Sequence, residues 1–310
     1  MNANVGVGVA AMTCLQELVA RGMDKDSKVA LLVKTDLLRK LHQSVNLQVV
    51  DASPIEVVIE VAKLIDATGQ ELVPMMKQQD ITKLNLIWPQ VMELFFHCLA
   101  FDDIDVSGAV IPLACQLASR QDMSASQQLL TIMFRQMKYP VNYQFDYEND
   151  DEAEEEVYRS ELRKLYQTLV RASPQLCLQF LCQALANLPV PLSSASTSEI
   201  EAALRLVYHY CEGIRPPPGL KVVMTNDTFR AVLVALHQSD ITDHVHPEVL
   251  VLYYDTSVRY YPIFLDQPEL LPQVLESLSG KRGLQHAYPR LRSRSCYLLL
   301  RLVKSVIHKL

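Results

Sequence analysis

Residues 140–173 read PVNYQFDYENDDEAEEEVYRSELRKLYQTLVRAS and join a strongly acidic segment to an amphipathic one. Between Asp146 and Glu156 there are eight acidic residues and no basic residue, which predicts a solvated loop or a frayed helix start that is the most mobile internal segment. We place an acidic loop at residues 142–157. Apolar side chains then return at helical spacing and predict a helix with one apolar face. These side chains are Tyr158, Leu162, Leu165, Tyr166 and Leu169.

The chain on both sides of this stretch repeats the helical pattern. Apolar residues recur every three to four positions in roughly thirteen segments with short breaks, and no alternation of period two persists. Only 9 of the 310 residues are glycine, which argues against a sheet-rich fold with many tight turns. Two helices per 40–47 residues is the spacing of HEAT repeats. We therefore expect an all-α fold, an α-solenoid (superhelix) of HEAT-like helical hairpins, with more than roughly two thirds of the residues in helices.

Charge is distributed unevenly along a chain whose net charge is −6. Residues 281–310 contain eight Lys or Arg and no acid, whereas residues 146–161 contain nine acids and one base. The seven cysteines form no CxxC pair, and Cys177 and Cys182 have neither metal nor redox spacing, which predicts free thiols in a reducing compartment. No apolar run reaches the 18 or so residues that span a bilayer, and the N-terminus lacks the pattern of a secretory signal, so we expect no membrane insertion.

Residue patterns that would indicate catalysis or a metal site are incomplete in this chain. Residues 6–11 (GVGVAA) fit a loose dinucleotide fingerprint, but no strand can precede them. An EF-hand loop beginning at Asp146 would have Asp151 where it needs glycine and Val157 where it needs glutamate. The acid and histidines of residues 243–246 provide no evident fourth metal ligand. We therefore expect a binding protein rather than an enzyme, with no metal and no cofactor of its own.

The last predicted helix, residues 289–310, carries a cationic stripe opposite an apolar face. At 100° per residue, the stripe falls within about 80° of arc and includes one aromatic residue. Two interpretations are open: a solvated face, or a surface that binds phosphates while the tyrosine covers a sugar or base. Arg292 points toward the apolar side, so we expect it to be buried against an acid of a neighbouring repeat. The candidate nucleic-acid contacts are Arg290, Arg294, Tyr297, Arg301 and Lys304, with Lys281 and Arg282 just before the helix.

Three segments carry a resemblance to a known family: residues 14–24 (CLQELVARGMD), residues 145–176 and residues 283–304 (GLQHAYPRLRSRSCYLLLRLVK). In this order they resemble the exportin-T family, the tRNA exportins of the karyopherin-β (importin-β) superfamily. The resemblance places this chain in the central part of a longer receptor. Residues 1–9 lie outside it, and we expect them to be disordered, with residues 10–310 forming a single HEAT-like α-solenoid segment.

The resemblance implies a nuclear export receptor that binds mature tRNA cooperatively with GTP-bound Ran and carries it through the nuclear pore. Its partners would be tRNA, Ran with GTP and nucleoporins, and the chain would be a monomer that shuttles between nucleus and cytoplasm. The alternative is a helical-repeat scaffold or adaptor that binds proteins and no RNA. The acidic candidates for a Ran contact are Asp150, Asp151, Glu152, Glu154 and Glu155.

Overall fold

The computed structural model describes residues 3–45, 47, 53–76, 84–140, 143–145 and 150–307, and in these ranges the fold is all-α. The structure is 79 % helical, with 17 α-helices and no strand in the described ranges. The predicted HEAT-like helical-repeat fold and the predicted helix fraction are therefore confirmed. The helix count exceeds the expected thirteen partly because residues 106–120, whose apolar spacing predicts one helix, form two helices divided at Val110.

The helices group into two compact units, Met1–Gln136 with Phe145–Leu165, and Met137–Gln144 with Tyr166–Leu310. The first unit contains α1 Ala3–Glu17, α2 Lys25–Thr35, α3 Leu37–Ser44, α4 Ile55–Met75, α5 Leu84–Leu99, α6 Ile104–Ala109, α7 Ile111–Ala118, α8 Met123–Gln136 and the first part of α9 Asp150–Ala172. The second contains the end of α9, then α10 Pro174–Ala186, α11 Thr197–Gly213, α12 Gly219–Val223, α13 Asp227–Gln238, α14 Pro247–Arg259, α15 Ile263–Asp266, α16 Leu271–Ser279 and α17 Pro289–Ile307. The expected single segment over residues 10–310 stays a prediction.

Helix α4 is the centre of the first unit. It packs against α1, α5, α6 and α7, and Val61, Leu64 and Ile65 on it are fully buried. Helix α5 runs through Pro89 without a break. The contact with α7 is especially close because Gly69 has no side chain and faces Leu113. Asp66, one turn earlier, accepts a hydrogen bond from the Leu113 amide at 2.9 Å.

In the second unit, α11, α14 and α17 pack side by side, and α10 and α16 pair with α11 and α17 respectively. Buried tyrosines join helices that lie far apart in sequence. The Tyr166 hydroxyl donates to the Leu206 carbonyl at 3.2 Å, 40 residues later, and the Tyr260 hydroxyl donates to the Val207 carbonyl at 2.7 Å, 53 residues earlier. The separation of 40 residues is that of equivalent positions in consecutive helical hairpins, and the separation of 53 residues exceeds one repeat length.

Helix starts follow the expected capping chemistry with one shift. Pro174 is the first residue of α10, as Ser173-Pro174 predicts. Ser198 with Glu201 has the sequence pattern of a capping box, but α11 begins at Thr197, and the Ser196 side chain accepts from the Glu199 amide at 3.3 Å instead. Both serines fit the N-cap preference, and the loop before α11 brings Ser196 to that position.

The structure differs from the expectation at the start of the chain and in the acidic stretch. Residues 3–9 belong to α1, because the small apolar residues there form a helix that packs along α4. Residues 150–157 belong to α9 rather than to a loop, since acids are favourable in the first turns of a helix. The rest of the expected loop is described only at residues 143–145, and residues 141–142 and 146–149 lie outside the described ranges.

We predict that Gly69→Ala destabilises the protein by about 1 kcal/mol. A Cβ there would lie 2.2 Å from Leu113 Cδ2 and 2.8 Å from its Cδ1, and Leu113 is fully buried. Overpacking costs about 1–3 kcal/mol, more than the roughly 1 kcal/mol that alanine contributes to a helix interior. Urea unfolding followed by circular dichroism measures the difference.

Gly6→Ala in α1 is the matched control, because a Cβ at Gly6 meets nothing within 4 Å. This variant should be as stable as the parent or more so, by up to about 1 kcal/mol. If Gly69→Ala gained stability as Gly6→Ala does, the close approach of α4 and α7 would be incorrect.

Candidate functional site

Helix α17 separates apolar and cationic side chains as its sequence predicts. Leu291, Leu298, Leu302 and Val306 are buried, and the helix packs against α14 and α16. The cationic stripe lies on the remaining surface. Its members are exposed or half-buried: Arg290, Arg294, Tyr297, Arg301 and Lys304.

The first half of the stripe is paired with acids of α14. Arg290 Nη1 lies 3.3 Å from Glu248 Oε1. Arg294 binds Asp255 with two nitrogens, Nη2 to Oδ1 at 2.5 Å and Nε to Oδ2 at 3.2 Å. The hydrogen bond to Asp255 raises the pKa of Arg294 despite partial burial. These two arginines therefore contribute to helix packing, and an external phosphate would compete with a carboxylate already in place.

The second half of the stripe is open. Tyr297 is 48 % exposed, and the guanidinium carbons of Arg294 and Arg301 lie 5.2 Å and 5.6 Å from its ring centroid, within cation–π range. Arg301 and Lys304 are exposed, and neither has an acidic partner within the described part of the chain. We call Tyr297, Arg301 and Lys304 the open cationic surface. It combines two fixed positive charges with an accessible aromatic face.

Lys281 and Arg282 lie in the loop between α16 and α17, and no contact joins them to the stripe in the described residues. Arg282 forms an ion pair with Asp243, and its Nη1 donates to Thr242 Oγ1 at 3.5 Å. Lys281 is exposed. Lys281 and Arg282 therefore form a basic site separate from the stripe on α17.

The expected burial of Arg292 against an acid is wrong. Its side chain is exposed, and Nη1 donates to the carbonyls of His286 at 2.8 Å and Ala287 at 2.7 Å, so it holds the segment that precedes α17. Helix α14 lies on the side of residues 290 and 294 instead. The arginines of α17 that pair with acids of the neighbouring repeat are therefore Arg290 and Arg294.

Arg259 is a further inter-repeat arginine, and the sequence pattern did not indicate it. Arg259 of α14 binds Glu212 of α11, with Nη1 to Oε1 at 2.6 Å, and its guanidinium carbon lies 3.6 Å from the Tyr208 ring centroid. Gln167 Nε2 of α9 and His209 Nδ1 lie 2.6 Å and 2.8 Å from Glu212 Oε2. We call these five residues the Glu212 cluster. Only the i,i+3 spacing of His209 and Glu212 is visible locally, and it gives no hint of Arg259.

The Glu212 cluster is electrostatically matched. Burial alone would raise the pKa of Glu212, but hydrogen bonds and charge from His209 and Arg259 outweigh it and lower that pKa to about 2. Burial lowers the pKa of His209. The cluster thus holds a carboxylate and a guanidinium together across α9, α11 and α14, which is a structural role.

The acidic candidates are mostly not free for a partner. Glu152 and Glu155 are only 4 % and 6 % exposed. Glu152 Oε1 accepts from the Phe145 amide at 2.9 Å, and Phe145 has a φ of 61°. Burial raises the pKa of Glu155, and the charge of Arg159 opposes that shift. Glu154 is exposed, whereas the side chains of residues 150 and 151 lie outside the described ones. The acidic segment is therefore not solvated along its whole described length, because Glu152 and Glu155 are buried.

The histidines of residues 243–246 are used in helix and loop capping. His244 Nε2 lies 3.1 Å from the Ala195 carbonyl oxygen, and its Nδ1 accepts from the His246 amide at 3.1 Å. His246 Nδ1 accepts from the Glu248 amide at the start of α14. No group of three or more potential metal ligands occurs among the described residues.

Residues 6–11, which fit the loose dinucleotide fingerprint, lie inside α1. None of the helices described is both long and apolar enough to cross a membrane.

Comparison with known proteins gives a consistent result. The family described as Exportin-T matches residues 113–310, well over half of the chain and including α17. Exportin-T of Danio rerio is 25 % identical over 97 % of this chain and 33 % of that protein. Exportin-T of Homo sapiens is 27 % identical over 96 % of this chain and 32 % of that protein. Exportin-T of Arabidopsis thaliana is 25 % identical over 97 % of this chain and 32 % of that protein. The chain thus spans about a third of the length of these relatives.

We predict that Glu212→Gln lowers the free energy of unfolding by on the order of 3 kcal/mol at pH 7, because Arg259 loses its carboxylate partner in a part-buried site. The lowered pKa means that Glu212 stabilises the fold above its ordinary pKa of 4.5, and that this stabilisation is lost as pH falls toward 2. The variant should therefore show a weaker dependence of stability on pH between 5 and 2. Urea unfolding at several pH values tests this.

Glu161→Gln is the control, because Glu161 pairs with Lys164 on an exposed surface and should change stability by less than about 0.5 kcal/mol. Equal effects of the two substitutions would contradict the role of the Glu212 cluster.

Proposed function

This chain belongs to the exportin-T family, and on that premise we propose that it is the central part of a karyopherin-type nuclear export receptor for tRNA. The receptor binds mature tRNA cooperatively with GTP-bound Ran and carries it through the nuclear pore. It acts by binding, not by catalysis, and shuttles as a monomer between nucleus and cytoplasm. The observation that carries the RNA-binding part is the open cationic surface on α17, within the family match.

The open cationic surface suits single-stranded or irregular parts of an RNA. Arg301 and Lys304 would neutralise phosphates, and Tyr297 would stack on a base or cover a sugar. The flanking Arg301 guanidinium holds the Tyr297 ring, which reduces the ordering cost on binding. Arg290, Arg294, Lys281 and Arg282 are proposed as weaker contacts, because three of them already pair with acids.

The proposed Ran contact involves the start of α9. Glu154 is the acidic candidate with an exposed, described side chain, and we propose that it meets a basic residue of Ran together with Asp150 and Asp151. Glu152 and Glu155 would position this segment rather than touch the partner, since both are buried. The contacts with nucleoporins are proposed from the family alone.

A protein-binding scaffold without RNA is the second candidate function. It is favoured by the net charge of −6 and by the pairing of Arg290 and Arg294 with carboxylates, which leaves few free cations on α17. The two functions differ in whether the open cationic surface responds to RNA.

We predict that Arg301→Glu with Lys304→Glu weakens tRNA binding at least about tenfold at physiological salt. Two lost phosphate contacts should also reduce the slope of log affinity against log salt by about 2. The melting temperature should stay unchanged, because both side chains are exposed. Filter binding of labelled tRNA over a salt series, with and without GTP-bound Ran, measures the effect.

The matched control reverses two other exposed charges, Arg171→Glu with Lys221→Glu, and leaves α17 intact. It should reduce affinity far less. An unchanged tRNA affinity and an unchanged salt slope in the α17 variant would contradict the proposed RNA-binding site and favour the scaffold function.

A further inference from the structure

A groove of about 790 Å³ lies within the first unit, between α4, the short helix α6 and the first turns of α9. Gly108 and Ala109 of α6 form part of its lining, and the small size of these residues leaves the space open. The ring of Tyr158 lies beneath, with Cδ2 3.6 Å from where a Cβ of Gly108 would be. The volume of the groove is within the range of pockets that enclose ligands.

The groove exposes apolar side chains that the helix pattern does not explain. Val157 of α9 is 66 % exposed, whereas the next apolar residues of the helix, Tyr158 and Leu162, are 7 % and 0 % exposed. Ile59 of α4 and Ile104 of α6 also line the groove and are half-buried. An apolar strip shared by three helices is more than the scattered exposure of a normal surface.

The rim of the groove is acidic. Asp105, Glu154 and Glu161 line it, against a single base, Lys63, and Glu161 is itself paired with Lys164, so Asp105 and Glu154 carry the excess negative charge. Glu60 already neutralises Lys63, with Nζ to Oε1 at 2.7 Å. The rim therefore attracts cations and repels phosphate, so a protein segment fits the groove and a nucleic acid does not.

We propose that this groove binds an amphipathic helical segment of a partner protein, with apolar residues on one face and Lys or Arg at its flanks. The apolar face would cover Val157, Ile59 and Ile104, and the small residues Gly108 and Ala109 would let its backbone approach closely. The basic flanks would meet Asp105 and Glu154. This docking surface does not depend on RNA binding, since the open cationic surface belongs to α17 in the other unit.

A defined peptide tests the proposal. The probe is a fluorescein-labelled 16-residue peptide (length on the order of four helical turns) with leucines at helical spacing and lysines elsewhere. A scrambled peptide of identical composition controls for attraction to an acidic protein, and a uridine oligonucleotide of the same length tests the nucleic-acid alternative. By fluorescence anisotropy, the helical peptide should bind at least about tenfold more tightly than the scrambled one. The oligonucleotide is labelled and titrated separately, because it would complex with a lysine-rich peptide, and it should bind Gly108→Leu no more weakly than the parent.

Two substitutions locate the site. Gly108→Leu places a side chain in the groove: its Cβ would be in ordinary contact with Tyr158, and leucine favours the helix. Val157→Ser removes the most exposed apolar anchor. Each should weaken peptide binding about tenfold. Leu86→Ser is the matched control, because Leu86 is 64 % exposed on α5 and does not line the groove.

Circular dichroism confirms that each variant is folded before binding is measured. Equal binding of the scrambled peptide, weaker binding of the oligonucleotide to Gly108→Leu than to the parent, or unchanged peptide affinity in both groove variants would each overturn the proposal. Loss of tRNA binding in the α17 variant has no bearing on it, so the two functions fail independently.

Discussion

No helix of the second unit can cover its own apolar face, and the packing of each helix against the equivalent helix of the next hairpin is the constraint on which that unit depends. Helices α11, α14 and α17 meet this constraint by lying side by side. Polar groups then join the same helices at similar separations in sequence: Arg259 to Glu212 across 47 residues and Arg294 to Asp255 across 39. Burial of apolar surface supplies most of the free energy of folding, while the ion pairs fix which faces meet.

This packing also decides which charges remain for ligands. An arginine whose guanidinium lies beside the previous hairpin pairs with an acid there, as Arg290 and Arg294 do. Farther along α17, Arg301 and Lys304 are exposed and project without such a partner among the described residues. One periodic stripe of cations is thus divided into a structural half and an open half. In the first unit the reverse holds: buried Glu152 and Glu155 serve the fold, and the acids of the groove rim stay exposed.

Features that depend on one helix could be predicted from the sequence, and features that depend on a neighbour could not. The buried faces of α9 and α17 follow from 3.6-residue periodicity, because burial of one stripe repeats along the helix. Arg292 was assigned the inter-repeat role that Arg294 has, since the position of α14 around α17 has no local signature. The burial of Glu152 depends on the Phe145 amide. Charge density alone predicted a solvated loop or a frayed helix start there, because it ignores such a tertiary hydrogen bond.

Arg294 takes part in two interactions at once, binding Asp255 inside the helix interface and lying near the ring of Tyr297 on the outer surface. Thermodynamic linkage follows from this shared residue. A ligand that binds Tyr297 better when Arg294 is held by Asp255 must, by reciprocity, tighten the association of α14 with α17 by the same factor. Ligand bound at Tyr297 would then appear as slower amide exchange in the packed helices α14 and α17.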